Sequence, residues 1–163
     1  MSRERLLAAA GIEAEGALGA ALDGRANILE MTDRSRESVL RPAAPGGLSH
    51  ALRAALAARA ARLAGEAALA EQYEADLARL DPDAATAALA RPEARPEGDA
   101  RLAALVAHFD MVAARPREAT AGDVSRLMAA GVDEADIVRL SQLVAFLAYE
   151  ARVAAGLRLM GAP

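Results

Sequence analysis

The chain has two histidines, His50 and His108, and no cysteine. Without sulfur in thiol form there can be no disulfide, thiolate metal site, thiol nucleophile or cysteine redox couple. Much of the remaining chemistry lies on one stretch, "LSHALRAALAARAARLAGEAALAEQY", which carries His50, Arg53, Arg62, Glu66 and Tyr73. A carboxylate at Glu66, with Tyr73 and Arg62 nearby, could do acid–base work, and Arg62 or Arg53 could hold a substrate carboxylate. His50, His108 or Glu66 could then move protons. The candidate pocket is therefore Arg62, Glu66, Tyr73 and His50. Plainer readings stand beside it. Glu66 also fits a first-turn helix acid, Tyr73 a core ring with its hydroxyl reaching the surface, and each histidine a structural residue.

Helices must position these groups, because strand signals are nearly missing. A first helix is expected over residues 4–22, weakened by Gly11, Gly16 and Gly19, and a short one over 34–40, closed by Pro42. "RPAAPGGLSH" is loop chemistry. Ser49 then caps a helix over 50–64. Gly65 interrupts what is otherwise uniform helix-forming sequence, at a cost of about 1 kcal/mol against alanine, so a bend is expected there, with a second helix over 66–80. "ARPEARPEGD", residues 90–99, reads as an exposed linker between two helical halves. Beyond it Asp99 caps a helix carrying Leu102, Leu105, Val106, Phe109 and Val112. Thr120 and Asp123 form a capping-box pattern for a helix ending at Gly131. From Asp133 a last helix runs on, apolar nearly all round, which suits the middle of the bundle, a subunit interface, or both. The expected organisation is one domain over 1–163: an N-terminal helical extension over 1–40, then a core over 41–161.

The 163 residues include 46 alanines, and all 19 basic residues are arginine. Alanine lets helices approach closely. A net charge of −4, with acids and arginines mixed along the chain and only four aromatic residues, argues against a nucleic-acid partner. The run from Leu143 to Tyr149 is too short to span a bilayer, so no membrane partner is expected. The apolar start is broken by glycines, Glu13 and Glu15, and reads as mature cytoplasmic protein. "APGGLS" lacks the lysine and the preceding strand of a phosphate loop, and there is no HExxH, so neither a cofactor nor a metal is expected.

Two stretches carry a family resemblance. The one from Leu48 to Tyr73 resembles the signature helix pair of the alkylhydroperoxidase AhpD-like, or carboxymuconolactone decarboxylase, family. "HFDMVAARPREATAGDVSRLMAAGVDEADIVRLSQLVAFLAYEARVAAGLRLM" resembles the C-terminal half of its peroxidase-related members. The resemblance implies an all-α, AhpD-like bundle of about six or seven helices that assembles as a homo-oligomer. In that family the site is a glutamate, a Cys-x-x-Cys pair and a histidine, the first cysteine following a helix-ending glycine so that the helix N-terminus favours its thiolate. Aligned on Gly65, those positions fall on Ala54, Glu66, Leu69 and Tyr73. All four differ, so no catalytic residue carries over. The resemblance then implies a redox-inactive binding, structural or regulatory subunit, with a cysteine-bearing relative as a possible partner. The alternative is a cysteine-independent enzyme doing acid–base chemistry, such as decarboxylation, on a small carboxylated substrate.

Overall fold

The computed structural model describes residues 2–13 and 15–161, and among these every regular element is helical. The elements are α1 (Ser2–Ala10), α2 (Gly16–Asp23), α3 (Ala26–Leu40), α4 (His50–Leu63), α5 (Ala67–Ala78), α6 (Ala84–Ala88), α7 (Ala100–Ala114), a 3-10 turn (Pro116–Glu118), α8 (Ala121–Ala129) and α9 (Glu134–Gly161). The all-α expectation holds, and the count of six or seven is corrected to nine α-helices among the described residues.

Two local causes raise the count, the split of 4–22 and the added α6, and a third lengthens α3. The span 4–22 is two helices, because Gly11 takes φ +67° and α1 stops there. The Ile12 amide reaches back to the Leu7 carbonyl at 3.1 Å and the Gly11 amide to Ala8 at 3.2 Å, a Schellman closure. Ala14, inside the same span, lies outside the described residues. Next, α3 starts at Ala26 rather than 34, its first turn secured by Arg25, whose carbonyl accepts from Ile28 and Leu29. Finally, Asp83 caps the five-residue α6 by accepting from the Thr86 amide at 2.8 Å, an element too short for periodicity to reveal.

Other helix ends follow the sequence signals. Ser49 Oγ accepts from the Leu52 amide at 3.1 Å, and Asp99 from the Leu102 amide at 2.9 Å. The Thr120 amide donates to Asp123 Oδ2 at 2.7 Å, the reciprocal half of a capping box.

The helix buried on all sides is α4. Every residue from Leu52 to Ala61 is buried, nearly three turns packed against α5, α6, α7 and α9. Its alanines are what allow four helices to close on it. The last helix, α9, keeps an outer face in solvent, with Val138, Leu159 and Met160 exposed. One core cluster takes Leu56, Leu69, Leu105, Phe109 and Leu143 from both sides of the 90–99 stretch. A smaller one joins Leu6, Ala10, Leu22 and Leu157 under α1 and α2.

Three buried charges fasten the loops to this core. The Arg53 guanidinium donates to the carbonyls of Leu48, Val39 and Pro45 at 2.7–3.0 Å. The Asp136 carboxylate, 1% exposed, takes the Gly47 amide at 3.0 Å together with Arg101 and Arg139. Arg59 reaches out of α4 to four carbonyls between Leu89 and Ala94. The stretch over 90–99 is largely at the surface, as its composition suggests, yet its first half is tied down from beneath.

Candidate functional site

The bend at Gly65 is a Schellman closure. Gly65 takes φ +76°, a region that costs a side chain about 1–2 kcal/mol. Its amide donates to Arg62 and the Glu66 amide to Ala61, at 3.0 and 2.9 Å. A Cβ at Gly65 would meet nothing within 4 Å, so the turn itself requires the glycine.

Glu66 is the residue before α5 and not part of its first turn. Its side chain makes no capping bond. It is buried and paired with Arg158 from α9, Nη1 lying 3.4 Å from Oε1 and Nη2 closer to Oε2. That contact bonds the α4–α5 corner to the far end of the last helix. Burial also claims Ala54 and Leu69, which lie in the core.

The four candidate pocket residues do not converge on one cavity. Arg62 points to solvent and pairs with Glu74, which holds its pKa above the ordinary arginine value. His50 Nε2 lies 2.9 Å from the Pro42 carbonyl, a structural contact on the preceding loop. His50, Ala54 and Tyr73 do share one small cavity, of about 10 Å³, scarcely room for one water. His108 is elsewhere, lining a 270 Å³ pocket with Asp123 and Arg126; burial lowers its pKa. Arg53, with its donors already on three carbonyls, has no free edge for a substrate carboxylate.

Tyr73 leads to a constellation that the sequence did not single out. Its ring is 0% exposed and lies between two guanidinium groups, Arg5 from α1 at 4.8 Å and Arg36 from α3 at 5.3 Å. These are cation–π distances. The Tyr73 hydroxyl donates to Glu150 of α9 instead of reaching the surface. Burial first, and then the neighbouring Glu150 charge, push the Tyr73 pKa up, so it remains a hydrogen-bond donor. Burial also raises Glu150 above its usual carboxylate range, against the pull of Tyr73, Arg36 and Arg5. Asp76, three residues along α5 from Tyr73, gathers Arg36 at 2.8 Å, Arg5 at 3.1 Å and Arg79 at 2.9 Å. Outside this cluster opens a cleft of about 1270 Å³ between α1, α3 and α5.

This arrangement can hold an anion or neutralise a buried charge. Among the described residues no set of three histidine or carboxylate side chains could hold a metal ion, and no helix is long and apolar enough to cross a membrane. Arg5, Arg36, Asp76 and Glu150 were the residues missed. A signal existed for Glu150, which falls in helical register with Leu143, Leu147, Ala154 and Leu157, all buried. A carboxylate on that stripe has to find a partner inside.

No protein-family model matches this sequence, and no curated protein matches it either.

Proposed function

We propose that this protein is a cysteine-free relative of the AhpD-like, carboxymuconolactone decarboxylase family that works by binding rather than by thiol turnover. The observation that carries the reading is the packing beside Gly65. The glycine bend between two helices is kept, while Leu69 and Tyr73 are core side chains and Glu66 is consumed by Arg158. A carboxylate stands near a helix N-terminus where a thiolate would profit from the same field, and a carboxylate has no redox chemistry. The full-length protein mixed with cumene hydroperoxide and dithiothreitol should consume no peroxide beyond the protein-free control. Steady turnover of the hydroperoxide would overturn this reading.

The same reading places the protein in the cytoplasm and has it assembling with itself, or with a cysteine-bearing relative. Its support is the outer face of α9, where Val138, Leu159 and Met160 stand exposed. Multi-angle light scattering at micromolar concentration should return a mass above the 16.8 kDa of one chain. A stable monomer would count against assembly without touching the binding role. The alternative, acid–base catalysis on a small carboxylated substrate, needs His50, His108 and Glu66 to meet. His50 bonds to the Pro42 carbonyl, His108 lines a separate pocket and Glu66 is buried against Arg158, so nothing in the geometry favours it.

A further inference from the structure

Among the described residues, four buried side-chain polar atoms have no hydrogen-bond partner: Nε and Nη2 of Arg5, Nε of Arg36 and Oε1 of Gln72. All three residues line the single cleft between α1, α3 and α5. Buried polar groups are nearly always paired, and an unpaired one costs about 1–3 kcal/mol, more when charged. Nε of Arg36 does lie 3.7 Å from Oε1 of Glu150, an ion pair without hydrogen-bond distance, so the unanswered charge beside this opening is the Nε–Nη2 edge of Arg5, next to one neutral acceptor. We propose that this cleft binds a small organic monocarboxylate, its two oxygens taken by Nε and Nη2 of Arg5. Gln72 Oε1 accepts from a hydroxyl or amine on the same molecule.

Nε and Nη2 form one edge of a guanidinium, the fork that matches the two oxygens of a carboxylate. The protein uses that same edge elsewhere: Arg59 sets Nε and Nη2 on the two oxygens of Asp110, at 2.5 and 2.7 Å. Asp76 cannot satisfy the Arg5 fork, because its Oδ2 already takes Arg36 and Nη1 of Arg5 while its Oδ1 takes Arg79. Charge selects among oxyanions. The cleft is lined by five arginines against four carboxylates, an excess of one positive charge. One ligand carboxylate balances it, whereas phosphate at neutral pH carries about −1.5 to −2 charges. The Arg5 donors are buried, so access requires α1, which carries Arg5, to shift. Its anchors are Leu6, Ala9 and Ala10, and the chain leaves it through the Gly11 turn.

This inference rests on the binding role but not on the family, and the peroxide assay and the titration below fail separately. The arginine Nε–Hε resonances of the ¹⁵N-labelled full chain are followed while sodium lactate, sodium propionate or inorganic phosphate is added at constant ionic strength. The Arg5 signal should move saturably with lactate and propionate, lactate at lower concentration, while Arg59 stays still. Arg5→Gln should weaken lactate binding roughly tenfold or more. Should that substitution loosen α1, Gln72→Ala tests the same site: it gives up the 3.1 Å bond from Gln72 Nε2 to the Arg5 carbonyl but keeps the Arg5–Asp76 ion pair, and should abolish the preference of lactate over propionate. No saturation by about 50 mM, where even a millimolar binder would be filled, would overturn the proposal. So would a drift shared equally by Arg59, or saturation by phosphate at a lower concentration than by either carboxylate.

Discussion

Replacing Arg59 with methionine is expected to lower the unfolding free energy by about 3–5 kcal/mol, the usual cost of breaking a buried ion pair from one side. Methionine keeps the apolar stem, so the loss isolates the guanidinium. That group is 0% exposed in the centre of α4. It holds both oxygens of Asp110 on α7 and the carbonyls of Leu89, Arg91, Pro92 and Ala94, at 2.5–3.3 Å. Asp110 is partly exposed and the carbonyls belong to a surface stretch, so water can repair some of the loss; the α4 side cannot be repaired. Urea denaturation should show the drop. Hydrogen exchange should localise it, with faster exchange over residues 87–94 ahead of the rest of the chain. A loss under about 1 kcal/mol, as for an exposed ion pair, would mean that the stretch holds itself in place without α4.

The second large effect concerns Glu150. Glu150→Ala should cost about 3 kcal/mol or more, because it leaves a cavity inside α9 and strands the Tyr73 hydroxyl in the core. Glu150→Gln keeps the shape and an acceptor for Tyr73, and separates packing from charge. The sign of its pH dependence follows from the raised pKa of the wild-type carboxyl. Between the unfolded value near 4.5 and the higher folded value, the folded state binds more protons than the unfolded one. The contribution of Glu150 to stability is therefore full below pH 4.5 and is lost as pH rises through the folded pKa. The glutamine variant has no such loss. Its stability relative to wild type should improve as pH rises from about 4.5 to the folded pKa and then level off, measured by urea unfolding at each pH. A difference that is flat, or that moves the other way, would show that Arg36, with Nε 3.7 Å from Oε1, keeps Glu150 ionised throughout.

The cluster around Tyr73 shows where reading along the chain stops. Arg5, Arg36, Tyr73, Asp76 and Glu150 come from four helices, and the hydrogen bond from Tyr73 to Glu150 alone spans 77 residues. No local pattern pairs them. Arg36 sits in a run of charges, "DRSRES", whose composition suits a solvated face, and it is the packing of α3 against α9 that buries it. Glu66 is instructive in the opposite sense. Its place beside a helix N-terminus was legible; that its charge would be answered by Arg158, 92 residues away, was not.

What the sequence by itself determined is the local and the compositional. It determined an all-helical chain, caps at Ser49, Asp99 and Thr120, a forced turn at Gly65, and the impossibility of thiol chemistry. Each depends on residues within a few positions of one another, or on a residue type being absent. Only the tertiary structure decided that α4 is the buried centre, that the expected pocket residues part company, and that Tyr73 is held between two arginines beside a cleft. The physical reason is that a helix fixes its ends and bends through bonds to its own neighbours. Which of its faces is covered, and by which distant charge, is settled only when the other helices pack against it.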